Sequence, residues 1–381
     1  CVELLIYLIL FLLVLIVSST TNKLLPFLPL PLVQILLGIV IGLFLPNTDF
    51  HLNTELFLAL VIGPLLFREA EEADVTAILK HWRIIVYLIF PVIFISTLSL
   101  GGLAHLLWFS LPLAACLAVG AALGPTDLVA FASLSERFSF PKSNILKGEG
   151  LLNDASGLVA FQVALTAWTT GAFSLGQASS SLIFSILGGF LIGFLTAMTN
   201  RFLHTFLLSV RATDIASELL LELSLPLVTF FLAEEVHVSG IIAVVVAGIL
   251  KASRFKKITL LEAQVDTVTE TVWHTVTFML NGSVFVILGM ELEMIAEPIL
   301  TNPIYNPLLL LLSLIALTFV LFVIRFIMIY GYYAYRTRRL KKKLNKYMKD
   351  MFLLTFSGVK GTVSIATILL IPSNLEQEYP L

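Results

Sequence analysis

Long apolar stretches separated by short polar ones run along the whole chain. A membrane-spanning helix needs about 20 predominantly apolar residues, and twelve segments fit this pattern. They cover residues 2–18, 31–46, 54–70, 84–107, 111–134, 144–172, 181–210, 217–234, 238–251, 268–292, 305–335 and 349–372. The pattern therefore predicts an all-α polytopic membrane protein in which twelve spanning helices are visible.

The basic residues of the loops give an independent test of that number. Every loop after an odd-numbered segment carries Lys or Arg, from Lys23 in the first to the run 336–349 in the last, and no loop after an even-numbered segment carries either. Basic loops stay on the cytoplasmic side, and one missed or invented helix would invert the alternation. The pattern predicts a multi-pass protein of the plasma membrane with its N-terminus outside and 336–349 in the cytoplasm.

Composition agrees with a membrane protein and excludes several other classes. The chain is 58% hydrophobic and 13% charged, with a mean hydropathy of +0.99, whereas soluble proteins carry about 25% charged residues. No stretch is polar enough for a soluble catalytic domain, so residues 1–381 are expected to form a single transmembrane domain without enzyme activity or cofactor. The net charge of −2 gives no indication of a nucleic-acid partner.

Because the chain starts without Met and ends soon after an apolar segment, we expect both ends to be incomplete.

Ionisable residues lie deep within two neighbouring segments. The sixth contains KGEGLLNDASGLVAF at 147–161, with Glu149, Asn153 and Asp154, and the fifth contains Asp127. An ionisable group at membrane depth is costly and by default indicates an ion or proton site. At about 1.5 Å per residue, Asp127 and Asp154 reach the middle of the membrane from opposite directions.

Two segments are interrupted by helix-breaking residues. Gly124-Pro125 comes directly before Thr126-Asp127 in the fifth, and the twelfth contains SGVKG at 357–361, with Lys360 inside it. Proline removes a backbone donor and clashes with the preceding turn. Interrupted helices that run in opposite directions are typical of inverted repeats that cross at a binding site. The alternative is that the glycines only allow close helix packing.

The remaining charges within the membrane need partners. Arg325 is flanked by apolar residues and is expected to pair with Glu149 or with one of the two aspartates. Lys360 needs a carboxylate too, and Glu69 is the acidic residue of the third segment that lies closest to the bilayer. Its neighbours are expected to reach cytoplasmic water: Glu71, Glu72 and Asp74.

A static charge network could explain several of these residues, but it does not easily explain Asp154. A partly desolvated carboxylate can hold either a proton or a small dehydrated cation. Oxygen ligands for a monovalent metal cation would come from Asp154, Asp127, Thr126 and the carbonyls that the break frees. Mutually exclusive occupancy of one site that faces each side in turn is sufficient for cation/proton exchange.

At these residues the sequence resembles the monovalent cation:proton antiporters of the NhaP/NHE-like family, the Na+/H+ exchangers. The matching motifs are Thr126-Asp127 with Val129-Ala130, GEGLLNDASGLV at 148–159, LAEEVHVSGIIAVVVAGI at 232–249, LNGSVFVILGMEL at 280–292 and SGVKGTVSIA at 357–366. The resemblance covers essentially the whole chain. It implies an inverted-repeat antiporter fold with thirteen spanning helices, of which this chain would lack the last.

The resemblance also implies roles for individual residues. Asp154 would be the ion- and proton-carrying carboxylate, and Asn153 would mark the electroneutral branch. Thr126 and Asp127 would lie at the unwound crossing, and Glu149 would pair with Arg325. This sequence departs from the family pattern at three places: Gly150 where Ser is common, Lys360 where Arg is usual, and the third segment, where the family carboxylate matches Arg68 or Glu69.

These observations predict a secondary antiporter that exchanges Na+, or alternatively Li+ or K+, for H+ and contributes to pH and cation homeostasis. An ion-binding core, 84–172 and 305–372, would alternate its access against a dimerising scaffold, 1–70 and 181–251. The expected partners are membrane lipid and a second copy of the chain. The basic run 336–349 is expected to be an anchor on the cytoplasmic face, the alternatives being an anionic-lipid site or a site for a cytosolic regulator.

Two other functions compete with this interpretation. A K+/H+ exchanger or a cation channel would use the same polar residues, and a channel would move cations without a counter-movement of protons. An intramembrane aspartyl protease could use Asp127 and Asp154. Such enzymes typically carry a G-x-G-D motif, whereas this chain has Gly124-Pro125-Thr126-Asp127.

Overall fold

A computed structural model describes residues 2–25, 27–44, 54–109, 111–124, 143–170, 175–210, 214–252, 260–301, 306–340 and 347–356. These residues form helices and contain no strand. In chain order the helices are α1 (Val2–Leu24), α2 (Leu30–Phe44), α3 (54–71), α4 (Val75–Lys80), α5 (Trp82–Leu107), α6 (Leu113–Leu123), α7 (Ser143–Thr170), α8 (Leu175–Val210), α9 (Ile215–Glu235), α10 (Gly240–Ala252), α11 (Leu260–Thr301), α12 (Pro307–Leu340) and α13 (Met348–Phe356).

Each of the twelve predicted segments contains helix, and α4 is an additional short helix between the third and the fourth. Five stretches of the described residues are long and apolar enough to cross a membrane: Trp82–Leu107, Ile183–Val210, Ile215–Glu235, Thr267–Leu292 and Pro307–Arg339. The all-helical architecture is thus confirmed. The number of spans and the inverted repeat stay predictions.

The first predicted interruption coincides with the end of a regular helix, because α6 ends at Leu123, two residues before Pro125. The second, at 357–361, lies outside the described residues, as does the rest of the predicted crossing, at 125–142 and 357–381.

Local sequence explains several irregularities of the helices. A π-helical turn, Leu58–Ile62, precedes Pro64 in α3, and a second, Leu88–Val92, contains Pro91 in α5. A π-turn absorbs the missing backbone donor of a proline without ending the helix. Helix α9 starts at a capping box, in which the Ser217 amide donates to Oδ1 of Asp214 at 2.9 Å. Hydrogen bonds from the side chain and the backbone amide of Ser217 lower the pKa of the Asp214 carboxyl.

The helices pack into two groups, and the extensive helix–helix contacts lie within each group. The first, the α7 bundle, comprises α5, α6, α7, α12 and α13, and buries Leu88, Leu146 and Met351 together. The second, the α11 bundle, comprises α1 to α3 and α8 to α11, and buries Phe67 against Trp273. Between them α7 makes narrow contacts with helices of the α11 bundle and with α4.

The most extensive contact of the α11 bundle joins α2 to α11 at two facing glycines. A Cβ added to Gly289 would lie 2.8 Å from Cα of Gly38 and closer still to the carbonyl oxygen of Ile35. The backbones of the two helices therefore touch, an approach that needs residues without side chains at the crossing point.

Candidate ion-exchange site

A buried ion pair joins two helices of the α7 bundle. Nη2 of Arg325 in α12 lies 2.7 Å from Oε1 and 2.9 Å from Oε2 of Glu149 in α7. Glu149 is fully buried and Arg325 is 3% exposed. The sequence left three carboxylates open as the partner of Arg325, and the structure shows that the partner is Glu149. The guanidinium of Arg325 therefore compensates the charge of the buried carboxylate, which has lost its contact with water.

Arg325 also binds a third helix of the same bundle. Its Nε donates a hydrogen bond to the carbonyl oxygen of Leu354 in α13 at 2.9 Å. Arg325 therefore fixes the start of α7 against α13, three residues before Ser357 in the sequence.

Asn153 lies one turn after Glu149 on α7 and is 1% exposed. Its carbonyl oxygen accepts a hydrogen bond from Oγ of Ser156 at 2.9 Å. Asp154 follows within the same helix, but its side chain lies outside the described part of the chain, as do Thr126, Asp127 and Lys360. Glu149 and Asn153 thus face the buried side of α7 near the predicted carrier residue, whose own contacts stay a prediction.

A second charged cluster, which we call the α3–α10 cluster, lies in the α11 bundle. Nζ of Lys251 in α10 lies 2.8 Å from Oε1 of Glu222 in α9 and 3.2 Å from Oε1 of Glu71 in α3. The indole Nε1 of Trp273 in α11 donates to Glu222 at 2.9 Å. Arg68 contacts Glu71 at 3.0 Å. The cluster thereby joins four helices, α3, α9, α10 and α11.

The α3–α10 cluster corrects the expectation for Glu71, and the cluster itself was not predicted from the sequence. The side chain of Glu71 is 15% exposed and ion-paired, so it does not simply reach cytoplasmic water, whereas that of Glu72 is 59% exposed. Glu69 in the same helix is partly buried, and its predicted compensating role stays a prediction. The sequence did contain a signal, because Glu222 is a charge inside a predicted span and therefore needed a partner.

Comparison with known proteins assigns the chain to a family. The profile described as "Sodium/hydrogen exchanger, transmembrane" matches residues 8–380. A "Sodium, potassium, lithium and rubidium/H(+) antiporter" of Bacillus pumilus is 34% identical over 370 residues, which cover 95% of this chain and 55% of that protein. A protein of the same description from Bacillus subtilis is 34% identical over 369 residues, covering 96% and 55%. The chain thus spans about half the length of these curated relatives.

A solved structure shares the fold. The sodium proton antiporter MjNhaP1 from Methanocaldococcus jannaschii at pH 8 superposes with a TM-score of 0.71 at 18% sequence identity, covering 99% of this chain and 88% of that one. The helical fold, the family match and the two Bacillus relatives agree with one another. The chain belongs to the transmembrane sodium/hydrogen exchanger family, whose members are membrane transporters and not enzymes.

Proposed function

We propose that this chain is the transmembrane domain of a secondary antiporter that exchanges Na+, or alternatively K+ or Li+, for H+. Family membership and the names of the two Bacillus relatives support the class of transport. The observation that carries the site is the Glu149–Arg325 pair. Because Arg325 neutralises Glu149, the next carboxylate along α7, that of Asp154, is the one proposed to carry ions.

The proposed exchange needs one carboxylate with two alternative occupants. Asp154 holds a proton on one side of the membrane and releases it when a monovalent cation takes its place. Asp127 and Thr126 supply further oxygen ligands to that cation. Because Asn153 is neutral and Glu149 is neutralised by Arg325, one proton moves against one monovalent cation, and the cycle transfers no net charge.

Alternating access would come from movement of one bundle against the other. The α7 bundle contains Asp154, and the α11 bundle supplies the proposed scaffold and homodimer contact. The separate packing of the two groups supports this division, because each has its own buried core and the contacts between them are narrow. The proposed setting is the lipid of the plasma membrane, where the exchange contributes to pH and cation homeostasis.

The site assignment is tested with Asp154→Asn in proteoliposomes that contain a pH-sensitive dye. A gradient of Na+, K+ or Li+, applied in turn, should drive proton movement in the wild-type protein and none in the variant. The matched control is Asp214→Asn, since Asn also caps helices well and Asp214 lies exposed at the start of α9. Exchange that persists in Asp154→Asn would refute the assignment, and cation flux without counter-movement of protons would favour a channel.

The same vesicles test the charge balance. The K+ concentration is kept equal on both sides, so that K+ itself drives no exchange, and adding valinomycin to clamp the membrane potential should leave the Na+-driven rate of the wild-type protein unchanged. Asn153→Asp adds a second titratable group, so its exchange should become sensitive to the clamped potential. A wild-type rate that depends on the potential would contradict electroneutral exchange.

A further inference from the structure

One isoleucine packs against the buried clusters of both bundles. Ile78 lies on α4, the short helix that links α3 of the α11 bundle to α5 of the α7 bundle. Its side chain contacts the cluster that contains Phe67 and Trp273 and also the cluster that contains Leu88 and Leu146. Ile78 of the linking helix α4 is therefore a residue at which the buried clusters of the two bundles meet.

The surface that α7 presents to Ile78 is bare backbone. A Cβ added to the buried Gly148 would lie 3.1 Å from Cγ1 of Ile78 and 2.8 Å from Cδ1 of Ile85. Both distances are shorter than ordinary contacts between carbon atoms. A side chain at position 148 would therefore require Ile78 and Ile85 to shift, and the residue that follows it is Glu149, the partner of Arg325.

Each bundle is fixed internally on its own side of this contact. In the α11 bundle, the α3–α10 cluster holds Glu71, the last residue of α3, only a few residues before α4. In the α7 bundle, Arg325 joins α7 to α12 and α13 right beside Gly148. The contact between Ile78 and Gly148 therefore lies on the link between two internally fixed groups of helices.

We propose that the contact between Ile78 of α4 and Gly148 of α7 is a sliding surface between the α7 bundle and the helix that links it to the α11 bundle, and that Gly148 is a positioning residue for the transport cycle. The inference rests on the proposed alternating-access function. Packed surfaces with interlocking side chains adopt discrete arrangements and resist intermediate ones. The bare backbone of Gly148 lets the branched side chain of Ile78 pass along α7 without such interlocking.

The test is Gly148→Ala, compared with two second-site variants that relieve its two clashes separately. The added methyl group should lower the maximal exchange rate about tenfold, an overpacking effect on the barrier, and leave the half-saturating cation concentration unchanged. Ile78→Ala in the same protein removes the α4 side chain that the new methyl group meets and should restore most of the rate. Ile85→Val removes Cδ1 of Ile85, which lies in the same bundle as Gly148, so it should restore thermal stability but not the rate.

A second readout does not depend on ion flux. Spin labels placed at Leu220 of α9 and Phe352 of α13, one exposed position on each bundle, report the distance between the bundles. We expect two populations in the wild-type background, one of them strongly depleted by Gly148→Ala and recovered by adding Ile78→Ala. A distance distribution that Gly148→Ala leaves unchanged, or a rate that Ile85→Val restores as fully as Ile78→Ala, would overturn the sliding surface. Failure of the proposed function looks different, since the wild-type protein itself would then exchange no cation for protons.

Discussion

At the scale of single residues, the Glu149–Arg325 pair illustrates how a buried charge can be tolerated in a membrane protein. The carboxylate receives both of its short contacts from one guanidinium nitrogen, and Nε of the same group is used by the carbonyl of Leu354. Arg suits this role because its donors project in a fixed planar fork and because it stays charged. Lysine would offer a single point charge and could not hold both helices in the same geometry.

Arg325→Met should destabilise the protein by about 3–5 kcal/mol, because it leaves the buried Glu149 without its counter-charge. The measurement is thermal denaturation in detergent, followed by tryptophan fluorescence. Adding Glu149→Gln should recover much of the loss, because the uncompensated charge is then gone. Arg201→Met on the exposed face of α8 is the matched control and should change stability by no more than about 0.5 kcal/mol. A double variant less stable than Arg325→Met alone would contradict this account.

The sequence predicted this pair only as one choice among three, for a physical reason. Hydrophobicity shows that Arg325 is too deep to reach water, and that alone requires a partner. Which carboxylate meets it depends on the rotation and the depth of α7 relative to α12, and those follow from packing between apolar faces. The contact with Leu354 was not predictable either, since it depends on how α12 and α13 pack against each other.

At the scale of helices, the contact between α2 and α11 depends on two glycines. Gly289→Ala should destabilise the protein by about 1–3 kcal/mol, because the new methyl group meets the backbone of α2, which cannot rotate away. Gly331→Ala is the matched control, since nothing lies within 4 Å of a Cβ at that position. There, the better helix propensity of Ala should stabilise α12 by up to about 1 kcal/mol. The apparent melting temperatures of the two variants in detergent should therefore move in opposite directions, and equal shifts would contradict the close crossing.

The helices themselves follow from the sequence more directly than their packing does. Apolar length predicted where helices lie, since each of the twelve predicted segments contains helix, whereas α4 was missed because VTAILK at 75–80 is short and carries no long apolar run. The pairing of α2 with α11 was not predicted, because the side of a membrane helix that faces lipid is as apolar as the side that faces another helix. The facing glycines were the one available signal.

At the scale of the whole molecule, charge patterns and helix packing give complementary information. The α3–α10 cluster and the Glu149–Arg325 pair each lie within one bundle, so each holds its own group of helices together without joining the two. This arrangement suits a transporter in which one bundle moves against the other, since moving parts need internal rigidity and weak mutual contacts. The loops carry a different signal, because their basic residues determine the orientation of the chain.

The predicted orientation can be tested with single cysteines at two exposed positions, Val236 after α9 and Arg339 near the end of α12. Three predicted spans, 238–251, 268–292 and 305–335, separate them, so the two positions should lie on opposite sides of the membrane. In a Cys1→Ser background that retains the buried Cys116, a membrane-impermeant maleimide should label Val236→Cys in intact cells. It should label Arg339→Cys only after permeabilisation.

The basic run 336–349, which contains Arg339, is the physical reason for this expectation, because translocating so many positive charges is strongly disfavoured. The background without either new cysteine is the control and should stay unlabelled under both conditions. Labelling of both positions from the same side would mean that one of the three intervening segments does not cross the membrane. The inverted-repeat arrangement, which requires the segments around Asp127 and Lys360 to run in opposite directions, would then fail with it.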